Sequence, residues 1–213
     1  MKNQEEKNAG LSLLMGSFMM IVTMGLHPTG GSFEHLLKIS TLIIVTHSIA
    51  IAAVPLMMFG FYGLTKRLTD ESGLSTLAFI TITFGFVAVM CAAALNGLAL
   101  PLFIKNYQGA TPEVIESIKT ILYYNSTLNH AFDFIFIGAA CVAIPLWSVV
   151  IIKTKALPQW IAYVGILFCM TTIVLVSIGF GLVDLNGFRI FIFGLVTWIL
   201  SVGFFMINGR SNA

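Results

Sequence analysis

A histidine and a carboxylate stand one helical turn apart at the start of a long apolar segment, in the stretch Asn129-His130-Ala131-Phe132-Asp133. Residues three apart share one face of a helix, so His130 and Asp133 can act on the same space. An ionisable side chain in such a segment costs free energy unless it is paired or hydrated, and it usually marks a functional site. This pair is therefore the first candidate for chemistry.

A second histidine, His47, is predicted to lie at the same depth as Asp133. His47 precedes the basic residue Lys66 by 19 positions, and Asp133 precedes Lys153 by 20. At a rise of about 1.5 Å per residue the two are nearly level, with His130 one turn farther out. We therefore expect a hydrogen bond between His47 and Asp133, which would fix one imidazole tautomer and leave the other ring nitrogen free.

A metal ion or a haem is the leading hypothesis for what these side chains bind. Imidazole and carboxylate together suit zinc, manganese or iron. The candidate ligands of a divalent metal are His47, His130 and Asp133 with one of the loop residues His27, Glu34 or His35. No HExxH or HxxxH spacing accompanies them.

Haem b is the alternative cofactor, held between His47 and His130 with Asn96 at a comparable depth on the preceding helix. Two axial nitrogens must lie on opposite faces of one iron, so a depth difference of about 6–10 Å would have to be absorbed by helix tilt. His27 or His35 is the substitute for either ligand.

Three hypotheses without a cofactor stay open. The pocket can receive a small amphiphile from the outer leaflet as a receptor or carrier. It can catalyse acid–base chemistry on a lipid, with the His–Asp pair as the base. It can also serve structure alone, because polar side chains hydrogen-bond helices together in membranes.

The composition indicates a protein of the lipid bilayer. Of the 213 residues, 58% are hydrophobic and 9% are charged, whereas soluble domains carry about 25% charged residues. The formal net charge of +2 is too small and too scattered to favour a nucleic-acid partner. The three cysteines show no CxxC or disulfide pattern, and an oligomer remains open.

The apolar runs predict one all-α domain, 1–213, that crosses the membrane as a bundle of six transmembrane helices. The predicted helices are 11–26, 38–63, 74–104, 121–152, 159–182 and 188–207. An excess of basic residues on one side favours both termini in the cytosol. The basic residues of that side are Lys2, Lys7, Lys66, Arg67, Lys153, Lys155 and Arg210, against Lys38, Lys105, Lys119 and Arg189 outside.

Two further expectations concern the outer side. Thr111-Pro112-Glu113 followed by apolar residues at helical spacing predicts a short amphipathic helix that lies on the outer surface before the fourth span. Asp184 and Arg189 flank an Asn-Gly turn and are expected to pair with each other.

Two stretches, His47 to Leu68 and Leu157 to Leu167, resemble a family of small six-helix bacterial membrane proteins of unknown function. The LPxW-type entry into the fifth helix is the most distinctive of these motifs. The resemblance implies the six-helix topology and a bacterial cytoplasmic membrane, and it implies no activity.

Overall fold

The computed structural model describes residues 2–68 and 73–208. Within these ranges six helices are long and apolar enough to span a membrane, as predicted for a polytopic membrane protein. Arg210, assigned above to the cytosolic side, lies outside the described residues. The helices are α1 (Lys2–Leu26), α2 (Phe33–Lys38), α3 (Ser40–Arg67), α4 (Leu74–Ala94), a π-helical segment (Leu95–Ala99), α5 (Leu100–Lys105), α6 (Pro112–Thr154), α7 (Gln159–Ser177) and α8 (Leu185–Asn208).

The segment expected to form a separate surface helix is instead the first part of α6. Thr111 takes the N-cap position and Pro112 the first helical position, where a missing N–H costs no hydrogen bond. The helix then runs without interruption for 43 residues, about 64 Å at 1.5 Å per residue, which exceeds the roughly 30 Å of bilayer hydrocarbon. α6 therefore extends well beyond the membrane core.

The fifth span is shorter than the range 159–182. α7 ends at Ser177, and Gly179 follows with φ 78°. A glycine in the left-handed region is a common helix stop because it has no Cβ to clash. The chain then turns through Phe180, whose N–H donates to the carbonyl of Leu175 at 2.9 Å.

α1 packs between α3 and α8, and α6 packs between α4 and α7. Small residues permit this close approach, which drives helix association in lipid. A methyl group added at Gly63 would collide with Ala9 of α1, and one added at Gly10 would come within 2.9 Å of the Gly203 carbonyl oxygen. The position of α1 in the bundle thus depends on these glycines.

One end of the bundle is held together by a buried arginine. Arg67 pairs with Glu6 of α1, donates from Nη2 to the carbonyl of Ala156 at 3.0 Å, and donates to the carbonyl of Phe205 in α8 at 3.4 Å. We call this the arginine end, where α1 begins and α8 ends. The opposite end, where α1 stops before His27, is called the histidine end.

Aromatic rings occupy the interior between the middle of the bundle and the arginine end. Phe61 stacks on Trp147 with ring centroids 4.9 Å apart, and Trp147 lies 6.3 Å from Trp198. The aromatic cluster comprises Phe61, Phe86, Phe136, Trp147, Phe191 and Trp198, all of them buried.

A smaller hydrophobic cluster lies at the histidine end, where α2, α5 and the start of α6 meet. Its buried members are Phe33, Ile104 and Ile118, one from each helix. We call it the cap cluster. Because it joins three segments that follow different spans, it fixes the extended part of α6 over this end of the bundle.

Candidate functional site

A cavity of about 450 Å³ opens at the histidine end, and we call it the polar pocket. Its wall is built by the end of α1 and its following loop, α3, the π-helical segment, α6 and the start of α8. The predicted site residues that line it are His27, His47, Asn96, His130 and Asp133. Glu34 and His35 are exposed on α2 and do not line the pocket, so the structure brings together the predicted residues except these two.

The closest pair of imidazoles is His27 and His47, whose ring centroids lie 4.9 Å apart. His47 Nδ1 lies 2.8 Å from the carbonyl oxygen of Ile43, and His27 Nδ1 lies 3.1 Å from that of Pro28. A carbonyl oxygen only accepts, so each Nδ1 carries the hydrogen. In the neutral rings Nε2 is therefore an acceptor.

Burial lowers the pKa of His27 from its ordinary value of 6.5 to about 4. Burial is the largest cause, and the neighbouring His47 and the Arg189 guanidinium act in the same direction, while the bond to the Pro28 carbonyl acts against them. Desolvation disfavours the charged imidazolium. His27 is consequently neutral at pH 7.

The predicted hydrogen bond between His47 and Asp133 is wrong. Asp133 accepts instead from Asn129 Nδ2, at 2.8 Å between Nδ2 and Oδ2. Both side chains find their partner one turn away on their own helix, His47 at the Ile43 carbonyl and Asp133 at Asn129. Asp133 is only 5% exposed, and its Oδ1 has no donor among the described residues.

The π-helical segment places Asn96 in the wall. Asn96 Oδ1 accepts from Asn125 Nδ2 of α6 at 2.5 Å. Pro101 has no N–H to donate to the carbonyl four residues earlier, and the helix widens there, a distortion that is frequent at functional sites. Gly97 lies against His47 so closely that a methyl group in its place would collide with the His47 side chain.

A second, apolar cavity of about 60 Å³ adjoins the polar pocket on the side of the aromatic cluster. The two cavities share walls at Thr23, Met24, Ala50, Val89 and Phe188. The remaining wall of the apolar cavity includes Phe86 and Phe136 of the aromatic cluster. The site therefore consists of a polar chamber next to a small hydrophobic one.

The expected ion pair between Asp184 and Arg189 is wrong as well. Arg189 donates from Nε to the carbonyl of Met24 at 3.2 Å and from Nη2 to that of His27 at 2.8 Å. The last carbonyls of α1 have no partner within their own helix, and a guanidinium satisfies them. Arg189 of α8 thereby positions His27, a role that the sequence did not reveal.

Among the described residues no group of three or more His, Cys, Asp and Glu side chains is arranged to hold a metal ion. Of the predicted ligands, His27, His47, His130 and Asp133 line the polar pocket, but they do not converge as such a group. Binding of a metal or haem stays a prediction.

No family model matches the chain, and neither a curated protein nor a solved structure matches it. The resemblance to six-helix bacterial membrane proteins of unknown function also stays a prediction. Function therefore has to be argued from the residues of this chain.

Proposed function

We propose that the polar pocket binds a small amphiphilic molecule, with its polar head among the histidines and Asp133 and its apolar part towards the second cavity. The observation that carries this proposal is that a chamber lined by polar groups shares its walls with a wholly hydrophobic one. Small-molecule sites are typically concave, largely apolar and provided with a few convergent polar groups.

The size of the pocket supports this proposal. Its volume of about 450 Å³ falls in the range of about 300–1,000 Å³ that is usual for small-molecule sites. The smaller cavity beneath it adds room for a short apolar chain near Ala50 and Met57. A complete two-chain lipid would have to leave part of its tails outside.

A receptor fits this interior better than a channel does. Channels and proton-coupled transporters need polar groups that continue across the bilayer. Here the aromatic cluster follows directly on the apolar cavity, with Phe86 and Phe136 common to both.

We further infer that the histidine end faces the outside of a bacterial cytoplasmic membrane. Basic residues near the arginine end outnumber those near the histidine end, and cytoplasmic loops carry the excess of Lys and Arg. The ligand would then arrive from the outer leaflet. Fusion of a fluorescent protein to the C terminus should give a fluorescent product if that terminus is cytosolic, and an inactive one if this orientation is reversed.

A metal ion or haem is the second candidate. His27 and His47 each hold Nδ1 against a backbone carbonyl, which is how many metal-binding imidazoles are oriented. Further ligands would have to come from His130, Asp133 or a bound molecule. Elemental analysis and a visible spectrum of the purified protein would reveal a stoichiometric metal or a haem absorption band.

The decisive experiment measures binding of three ten-carbon amphiphiles, decylamine, decanol and decanoate, to the protein in phosphatidylcholine nanodiscs. Ala50→Leu should abolish saturable binding because Ala50 lies in the walls of both cavities. Ala131→Leu, at an exposed position on α6, is the matched control and should bind as the wild type does. The proposal would be refuted if none of the three compounds showed saturable binding that is lost in Ala50→Leu.

A further inference from the structure

We infer that the polar pocket selects amphiphiles with a protonated amine as the head group. This inference rests on the proposed amphiphile site and names the chemical class of its ligand. It follows from which charges and which hydrogen-bonding groups are left available in the wall.

No lysine or arginine belongs to the wall among the described residues, and its one acidic side chain is Asp133. Arg189 is the closest guanidinium to this region, but it is engaged with the carbonyls of Met24 and His27 and is not part of the wall. The pocket thus offers a carboxyl group and no fixed cation.

Asp133 is 5% exposed and has one hydrogen bond, which Asn129 donates to Oδ2. A buried carboxylate with an unpartnered oxygen is costly unless a cation or further donors compensate it. Oδ1 has no donor among the described residues, and it is not fully enclosed. A donor group in the cavity can therefore reach it.

The imidazoles of the wall add acceptors to this carboxyl group. Nε2 of neutral His27 and of neutral His47 can accept, because Nδ1 carries the hydrogen in both rings. Two donors of the wall already have acceptors inside the protein. Asn125 donates to Asn96, and the hydroxyl of Thr23 donates to the carbonyl of Thr46 at 3.4 Å.

A primary ammonium group matches this wall. It carries three N–H donors and one positive charge, so it can neutralise Asp133 and donate to the imidazole nitrogens as well. A divalent metal ion shares the charge, yet the described residues provide no group of three ligands for it. The apolar cavity beside the pocket can accommodate an alkyl chain attached to the cation, and a bare metal ion would leave it unoccupied.

The test compares the same three ten-carbon amphiphiles at pH 7.5, where decylamine is cationic, decanol neutral and decanoate anionic. We expect decylamine to bind about tenfold more tightly than decanol, the effect of one charge-assisted hydrogen bond, and decanoate to bind most weakly. Asp133→Asn should reduce the preference for decylamine over decanol to less than about threefold. Asp133→Glu should retain it.

Thermal unfolding of Asp133→Asn in nanodiscs is the control for folding, because it does not depend on the ligand. Equal or tighter binding of decanol or decanoate to the wild type would overturn the inference while leaving the amphiphile site intact. So would an unchanged preference for the amine in Asp133→Asn, or stoichiometric binding of Zn²⁺ without binding of decylamine. If the variant does not fold, the order in which the wild type binds the three amphiphiles still tests the inference by itself.

Discussion

Replacing His27 by asparagine should reduce the loss of stability that the protein suffers in acid. The folded protein holds the pKa of His27 at about 4, below its ordinary value of 6.5. A group whose pKa is lowered by folding binds its proton more readily in the unfolded chain, so its contribution is complete above pH 6.5 and is lost as the pH falls towards 4. Asparagine has no such proton, and its amide can still donate to the Pro28 carbonyl.

The size of the effect follows from the two pKa values. Each factor of ten in the proton dissociation constant corresponds to 1.36 kcal/mol, so the difference between 6.5 and about 4 amounts to about 3 kcal/mol once both states are protonated. At pH 4.5 the loss is about 2.5 kcal/mol. For a chain of this length that free energy corresponds to a change of about 5 to 10 °C in melting temperature.

The measurement is thermal unfolding of the protein in nanodiscs at pH 7.5 and 4.5, for the wild type and for His27→Asn. The quantity to compare is the change in melting temperature with pH, because altered packing in the variant affects both pH values alike. The charged and titratable groups close to His27 are His47 and Arg189, with His130 and Asp133 in the same wall, and all four are retained in the variant.

His35→Asn is the matched control, since His35 is an exposed imidazole outside the pocket. It should follow the wild type at both pH values. Equal pH dependence of the wild type and His27→Asn, or a steeper loss in the variant, would show that His27 is not held neutral by its surroundings.

Two further substitutions test the architecture around the site and at the opposite end. Gly97→Ala should weaken amphiphile binding, because the new methyl group collides with His47. The same substitution should lower the free energy of unfolding by about 1–3 kcal/mol, the usual cost of overpacking. Gly25→Ala is the control and should leave both quantities unchanged, because the space around Gly25 is open. Arg67→Ala should cost about 3 kcal/mol in denaturant unfolding because it breaks a buried ion pair, whereas Lys66→Ala, whose ion pair is exposed, should cost much less. Retained binding in Gly97→Ala, or equal costs for the two basic residues, would contradict these assignments.

The six spans could be predicted because hydrophobic runs of sufficient length report directly on the bilayer. The continuity of α6 could not. The segment from Thr111 into the first turns of the predicted fourth span, 121–152, contains polar residues such as Asn125 and Ser126, which interrupt the hydropathy pattern. In the structure the side chain of Asn125 pairs with Asn96, so a tertiary contact accounts for a polar residue inside a helix.

The pocket residues could largely be predicted from depth, but the pairing of His27 with His47 was missed. The sequence offered one clue in the opposite charges of Glu5 and Lys66, which in the structure form an exposed ion pair between α1 and α3 with 3.0 Å between Nζ and Oε1. His27 follows Glu5 by 22 residues and His47 precedes Lys66 by 19. The difference of three residues is about 4.5 Å along antiparallel helices.

The partners of the polar side chains were the least predictable part of the site. His47 and Asp133 lie in one wall, yet each bonds to its own helix one turn away. Arg189 bonds to backbone carbonyls of α1 instead of to the nearby Asp184. A sequence shows which side chains can meet, whereas the choice between a local and a distant acceptor depends on distances of a few tenths of an ångström.

The aromatic cluster separates the proposed binding site from the arginine end of the bundle. A molecule that enters at the histidine end meets stacked, buried rings below the second cavity, so it must return by the side from which it came. Its occupancy then follows the concentration in a single compartment, and no difference in concentration or voltage across the bilayer can do work through it. Under the proposed function the site would therefore sense or hold its ligand on one side of the membrane.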